Sequence, residues 1–318
     1  MHSKLTPSYK RPSFLFNGHI ETIYPALVRK VSEVPHILRE RISTSDGDFL
    51  DLDWMKAGSE KLLILQHGLE GSSTRAYMLG MAKLFHNNGY DVCAWNFRGC
   101  SGEPNLKPIF YHSGATYDLD TVVQRAAQAY EDITLIGFSL GGNLTLKYLG
   151  EQARNEKIKR AIVISTPLDL SSSASNLDTP KCFLYRKRFL KNLINKVKTK
   201  DSILPGTMPL KNLSLVKDIT SFDEYFTAPL HGFDGAEDYY KKNSSKSFLE
   251  GIKTPTLILN ALNDPLLTSE TLNPNLANSS KYVKYEITPQ GGHVGYAEFS
   301  KDGHYWSERR ALDFCESH

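Results

Sequence analysis

Three residues of this chain have types and settings suited to nucleophilic catalysis: Ser139, Asp264 and His293. Ser139 sits in Gly137-Phe138-Ser139-Leu140-Gly141, after the apolar run Ile133 to Ile136 and before a helix-like pattern through Leu144, Leu146, Tyr148 and Leu149. A serine on a sharp strand-to-helix turn is held in a strained backbone conformation with its hydroxyl exposed. Small residues on either side let the neighbouring backbone approach. The glycines do not have the Gly-x-x-x-x-Gly-Lys-Ser/Thr spacing of a phosphate loop or the Gly-x-Gly-x-x-Gly spacing of a dinucleotide fold. The plainer reading is a turn carrying an incidental serine.

A serine hydroxyl needs a base to activate it and a third group to orient that base. His293, in Gln290-Gly-Gly-His-Val-Gly295, follows the strand-like run Tyr282 to Ile287 and is the candidate general base. Asp264, in Ala261-Leu-Asn-Asp-Pro265, stands just past the run Thr256 to Asn260, where a buried carboxylate could hold the imidazole. Asp169 in Ser165-Thr-Pro-Leu-Asp169 is the alternative acid, and His67, His112 and His304 are the alternative bases. The loop Gln66-His-Gly-Leu-Glu-Gly71 follows another strand-like run, and backbone N–H groups there could face a developing oxyanion. The expected donors are the N–H groups of Leu69 and Leu140.

These loops require a scaffold that brings strand ends together. The runs Ile37 to Thr44 and Asp48 to Met55, joined by Ser45-Asp-Gly47, predict an antiparallel hairpin. Strands at Lys61 to Gln66, Tyr90 to Asn96, Asp132 to Phe138 and Arg160 to Ser165 then alternate with helices at Arg75 to Asn88, Thr116 to Tyr130 and after Ser139. That rhythm predicts an α/β fold with a mostly parallel sheet, helices on both faces and ligands at the carboxyl ends of the strands. The rhythm stops between about residues 168 and 250, which reads as a helical cap inserted after the sixth strand. It resumes through the strands before Asp264 and His293 and closes on a helix at Tyr305 to Cys315.

The predicted organisation is an N-terminal arm over 1–36, a core over 37–167 and 251–318, and the cap over 168–250. Pro7, Pro12, Pro25 and Pro35 should break any long element in the arm. His19 there reads as a hydrogen-bonded packing histidine or, alternatively, a group near the substrate. Lys181 to Lys200 carries eight Lys/Arg and no Asp or Glu. It reads as a solvated helix face, with transient contact to an anionic membrane surface as the alternative.

A formal net charge of +3 over 318 residues argues against a dedicated nucleic-acid binder. Cys93, Cys100, Cys182 and Cys315 form no C-x-x-C pair, so no zinc site is expected and a reducing, cytoplasmic setting is. The N-terminus has no apolar signal segment and the apolar runs are strand-sized, so no membrane span is expected.

With these residues assembled, the chain resembles the family four esterases of the α/β-hydrolases, which include embryogenesis-associated and medium-chain phospholipid-cleaving hydrolases. The likeness rests on Asn17-Gly-His-Ile-Glu-Thr-Ile23, His67-Gly-Leu-Glu-Gly71, Asn96-Phe-Arg-Gly-Cys-Ser-Gly102, Tyr111-His-Ser-Gly-Ala-Thr116, Gly137-Phe-Ser-Leu-Gly-Gly142, Phe222-Asp-Glu-Tyr-Phe-Thr-Ala-Pro229 and Gly291-Gly-His293. The elbow and the His-Gly loop are widespread, whereas the N-terminal and Thr-Ala-Pro stretches are specific to this family.

The resemblance implies an α/β-hydrolase fold and a serine hydrolase of carboxylic esters with short- to medium-chain acyl groups, needing neither metal nor cofactor. It favours Asp264 over Asp169 and implies a soluble enzyme of bacterial type. Asn263 stands where the family pattern suggests a second aspartate, which removes a charge beside the acid. Acyl transfer, phospholipid hydrolysis and non-catalytic lipid binding are the alternatives the same fold accommodates.

Overall fold

The computed structural model describes residues 9–151 and 155–318. Residues 1–8 of the expected arm lie outside the described residues. Eight strands form one sheet in the order β1-β2-β4-β3-β5-β6-β7-β8. The strands are β1 Leu38–Ser43, β2 Phe49–Met55, β3 Lys61–Gln66, β4 Asp91–Asn96, β5 Asp132–Phe138, β6 Ile158–Ile164, β7 Thr256–Ala261 and β8 Val283–Thr288. Strands β1 and β2 are antiparallel with Ser43 opposite Phe49, and Gly47 takes a positive φ of 77° in the turn between them. The pairings from β4 through β8 are parallel.

The parallel strands are buried on both faces, which explains their continuous apolar runs. Alternation along them sorts side chains between two cores. Leu62 and Ile64 of β3 and Ile133 and Leu135 of β5 join one cluster, while Leu63, Leu65, Ile136 and Phe138 join the other. The first cluster is closed by α3 (Thr116–Ala127) and α4 (Leu140–Gly150). The second is closed by α2 (Ala76–Asn87) and the last helix, Trp306–Glu316. The edge strand β1 is largely exposed and carries Arg39 and Arg41, which pair with Asp53 and Asp51 of β2.

Helix α1 (Gly18–Val28) contains Pro25 inside it, contrary to the expectation that prolines interrupt the arm. The helix survives because Gly18, Glu21 and Pro25 share one buried face, so packing offsets the hydrogen bond that proline cannot donate. Between β6 and β7 the chain forms α5 (Leu170–Leu177), α6 (Phe183–Ile203), α7 (Ile219–Phe222), a π-helical turn at Asp223–Thr227, α8 (Ala228–Leu230) and α9 (Ala236–Asn243). The closing helix is α10. In α6, Lys181, Lys187, Arg188, Lys191 and Lys198 are exposed or flank its exposed start, as a solvated face requires. Lys196 and Lys200 instead turn inward, bonding Glu70 and the Asn105 loop.

Candidate active site

The parallel sheet delivers four loops to one edge, those after β3, β5, β7 and β8. Ser139, the residue between β5 and α4, has φ 52° and ψ −118°, a conformation costly for a residue with a Cβ. The glycines around it are sterically required. A Cβ on Gly137 would lie 2.4 Å from the carbonyl oxygen of Gly141, and one on Gly141 would lie 2.5 Å from that of His67.

Ser139 Oγ is 2.9 Å from His293 Nε2, and His293 Nδ1 is 2.8 Å from Asp264 Oδ2. The other carboxylate oxygen of Asp264 accepts the N–H of Leu266 at 2.8 Å, and the Asp264 side chain is fully buried. An acceptor on the Asp264 side makes Nδ1 the protonated nitrogen and leaves Nε2 free to accept from the serine hydroxyl.

The loop carrying His293 is clamped by three successive backbone donors. Gly292 N–H donates to Asn263 Oδ1 at 3.0 Å, His293 N–H to Thr22 Oγ1 at 2.8 Å and Val294 N–H to Ser165 Oγ at 2.8 Å. The acceptors come from the loop after β7, from α1 and from the end of β6. Positive φ values at Gly291, Gly292 and Val294 give the loop this shape. Among these acceptors, Thr22 of α1 is a positioning group that its residue type and spacing alone do not single out. The signal was present in Asn17-Gly-His-Ile-Glu-Thr, whose Gly18 cannot hold a Cβ because Asn263's carbonyl oxygen would lie 1.8 Å away.

Asn263 also donates its amide N–H to Glu21 of α1, a fully buried carboxyl. Burial raises the pKa of Glu21, opposed by that donor. An aspartate at 263 would put a second carboxylate against Glu21, which gives a local reason for the amide.

On the opposite side of Ser139, the loop after β3 is held by two tyrosines. Gly68 N–H donates to Tyr77 Oη at 3.0 Å and Glu70 N–H to Tyr111 Oη at 2.8 Å. The Leu69 N–H between them has no partner among the described residues. Leu140 opens α4, so its N–H is one of the first-turn donors without an intrahelical acceptor. Both residues line the cavity that contains Ser139 and His293.

Of the alternatives named from sequence, His67, His304 and Asp169 are engaged elsewhere, while His112 lines the cavity without a hydrogen bond to Ser139, its Nδ1 accepting from Gly114 N–H. His67 is fully buried, Nδ1 donating to Gly68 O at 2.8 Å and Nε2 accepting from Phe97 N–H at 3.2 Å, and burial pushes its pKa down to about 3. Asp169 caps α5 through Ser172 N–H and pairs with Lys246. His304 pairs with Glu308 at 3.3 Å. His19 stacks on Tyr185 of α6, its Nδ1 3.1 Å from the tyrosine oxygen, and so joins α1 to α6.

The cavity above Ser139 has an empty volume of about 1010 Å³ including its mouth, and is walled mainly by apolar residues of α5, α6 and α7 such as Leu170, Leu177, Phe189, Leu193 and Phe222. Among the described residues no group of three or more His, Cys, Asp or Glu is arranged to hold a metal ion, and no helix is long and apolar enough to cross a membrane.

Residues 61–300 match the α/β-hydrolase fold family. The chain belongs to that family. YheT of Escherichia coli (strain K12) is 32% identical over 88% of this hydrolase and 84% of its own length. The monoacylglycerol lipase of Saccharomyces cerevisiae is 31% identical over 78% of this chain and 57% of its own, and the human phospholipase ABHD3 is 27% identical over 92% and 75%. Among solved structures, the Pyrococcus furiosus esterase Pf2001 superposes on the hydrolase with a TM-score of 0.60 at 17% identity, covering 100% of this chain and 99% of the esterase.

Proposed function

We propose that the hydrolase is a serine esterase in which Ser139 is the nucleophile, His293 the general base and Asp264 the acid that orients it. The observation carrying this reading is the unbroken hydrogen-bonded chain from Ser139 Oγ through both nitrogens of His293 to Asp264. Relatives named as a lipase and a phospholipase support ester chemistry.

In the first step His293 Nε2 takes the proton from Ser139 as Oγ attacks the ester carbonyl. The N–H groups of Leu69 and Leu140 stabilise the oxyanion, and His293 returns the proton to the departing alcohol. Water, deprotonated by the same imidazole, then cleaves the acyl-enzyme. The segment 168–250 acts as the cap that covers the acyl group, α1 of the N-terminal arm braces the His293 loop, and 37–167 with 251–318 is the core. The apolar walls favour short- to medium-chain acyl groups. The four cysteines, all free, fit a reducing cytoplasmic setting.

The test is labelling of the pure protein with a fluorophosphonate, with the modified residue mapped by mass spectrometry, beside turnover of p-nitrophenyl esters of increasing chain length. Labelling at Ser139 with a chain-length optimum is expected. No labelling and no turnover of any ester would remove the esterase reading in favour of a lipid-binding role. Ester product formed from an added alcohol at the expense of free acid would make the enzyme an acyltransferase.

A further inference from the structure

The cavity that reaches Ser139 carries a second pair of polar groups that the ester-cleaving step does not use. His112, in the loop before α3, is only 5% exposed. Its Nδ1 accepts the N–H of Gly114 at 3.2 Å, so in the neutral ring the proton sits on Nε2. That N–H meets no acceptor among the described residues. His231, just after α8, packs its ring 4.4 Å from that of His112, and neither of its ring nitrogens bonds a described residue. Both rings line the cavity.

Burial lowers the pKa of both imidazoles, that of His231 to about 4, so both are neutral near pH 7. Together they present N–H donors and a ring lone pair without charge. Their unpaired ring nitrogens belong to the cavity wall, so a ligand group that pairs with them there gains a hydrogen bond that an apolar group would forfeit. A hydroxyl, which donates and accepts at once, matches the pair. A phosphate does not, because no Lys or Arg among the described residues lines this cavity and the carboxyl of Asp223 does.

We propose that His112 and His231 form a hydroxyl-binding subsite, and that the favoured substrates are uncharged esters bearing a free hydroxyl away from the scissile carbonyl. This rests on the esterase reading above. The hydroxyl can belong to the alcohol part, as in a partial ester of a polyol, or to a hydroxylated acyl chain.

The experiment compares kcat/KM of the full chain for monooctanoylglycerol, propyl ω-hydroxyoctanoate, propyl octanoate and dioctanoyl phosphatidylcholine, with fluorophosphonate labelling of Ser139 in parallel. At least a roughly tenfold preference for one hydroxylated ester over propyl octanoate is expected, the size of one well-made hydrogen bond. Which of the two is preferred identifies the source of the hydroxyl. His231→Phe should collapse that ratio toward unity and His231→Gln should keep part of it. If phenylalanine prevents folding, His231→Leu reads the same ratio. Equal rates for hydroxylated and plain esters, a ratio untouched by these substitutions, or a preference for the phospholipid would overturn the subsite while leaving Ser139 labelled. Absence of both labelling and turnover would overturn the esterase reading and this proposal with it.

Discussion

Asn263 joins Glu21 of the N-terminal helix to the backbone N–H of Gly292, one residue before His293. A segment distant in sequence is thereby wired to the loop that carries the candidate base. The amide is the side chain that suits this place, because it must donate to a buried carboxyl and accept from a peptide N–H at once.

Asn263→Asp should therefore destabilise the protein, by about 2 kcal/mol as for a buried hydrogen bond turned into a repulsion. Glu21 already has a raised folded pKa, so the native state holds its proton to higher pH than the unfolded chain. Stability then falls as pH rises above the ordinary glutamate range. A second carboxylate enlarges that loss. Thermal melting should show a larger deficit at pH 8 than at pH 5, and a deficit equal at both would contradict the pairing.

Thr22 offers a narrower test of the same brace. Its Oγ1 is the acceptor for the His293 N–H, so Thr22→Val keeps the shape and removes the acceptor. Leaving that donor unpaired costs about 1–3 kcal/mol, and a shift of the imidazole should lower kcat by roughly tenfold with KM little altered. Thr22→Ser should retain most of the activity. Full activity in the valine variant would show that the loop holds itself.

Much of this architecture is legible in the sequence, and the reason is physical. The turn at Ser139, Asp264 after β7 and His293 after β8 each follow a strand-length apolar run, and alternation of strands and helices leaves one end of a parallel sheet for all three. The brace was not legible because Thr22, Asn263 and Ser165 act through single hydrogen bonds between segments far apart in the chain, which no periodicity encodes. The stretch between β6 and β7 reads from sequence as an inserted helical cap, without its internal detail. Its π turn at Asp223–Thr227, the burial of Lys200 and the inward turn of Lys196 depend on tertiary packing that overrides a basic, solvent-facing pattern.

Lys196 of α6 bonds Glu70, the neighbour of Leu69, at 2.8 Å, with both side chains largely buried. Lys196→Met should leave the Glu70 carboxylate without its cation, next to Leu69, the proposed oxyanion donor. Breaking one partner of such a pair costs about 3–5 kcal/mol. A lowered melting temperature and reduced kcat are expected, with Glu70→Gln, Lys196→Met together recovering part of the stability. No recovery in the double variant would show that the two residues act independently.

The assignment of the acid is tested by a pair of conservative changes. Asp264→Asn should reduce turnover by about 10⁴-fold, as replacing the orienting acid does where an aspartate fixes the tautomer of a catalytic histidine. Asp169→Asn keeps an effective helix cap and should stay within a few-fold of the parent. Ser139→Ala should lose about 10⁶-fold. Loss of activity in the Asp169 variant with survival of the Asp264 variant would transfer the role.

Asp223, on the π turn in the cavity wall, accepts hydroxyl bonds from Thr227 and from Tyr240, the latter at 2.7 Å. Burial nevertheless raises its carboxyl to about 6, against an ordinary value near 4. Between those values the native state holds a proton that the unfolded chain has released, so stability declines as pH rises through this window and levels off above it. Asp223→Asn removes the titration while keeping an oxygen acceptor for one hydroxyl. Its stability curve from pH 4 to 7 should be flatter than the parent's, read by urea unfolding at each pH. An unchanged slope would mean that the Asp223 carboxylate is solvated well enough to ionise normally in the folded protein.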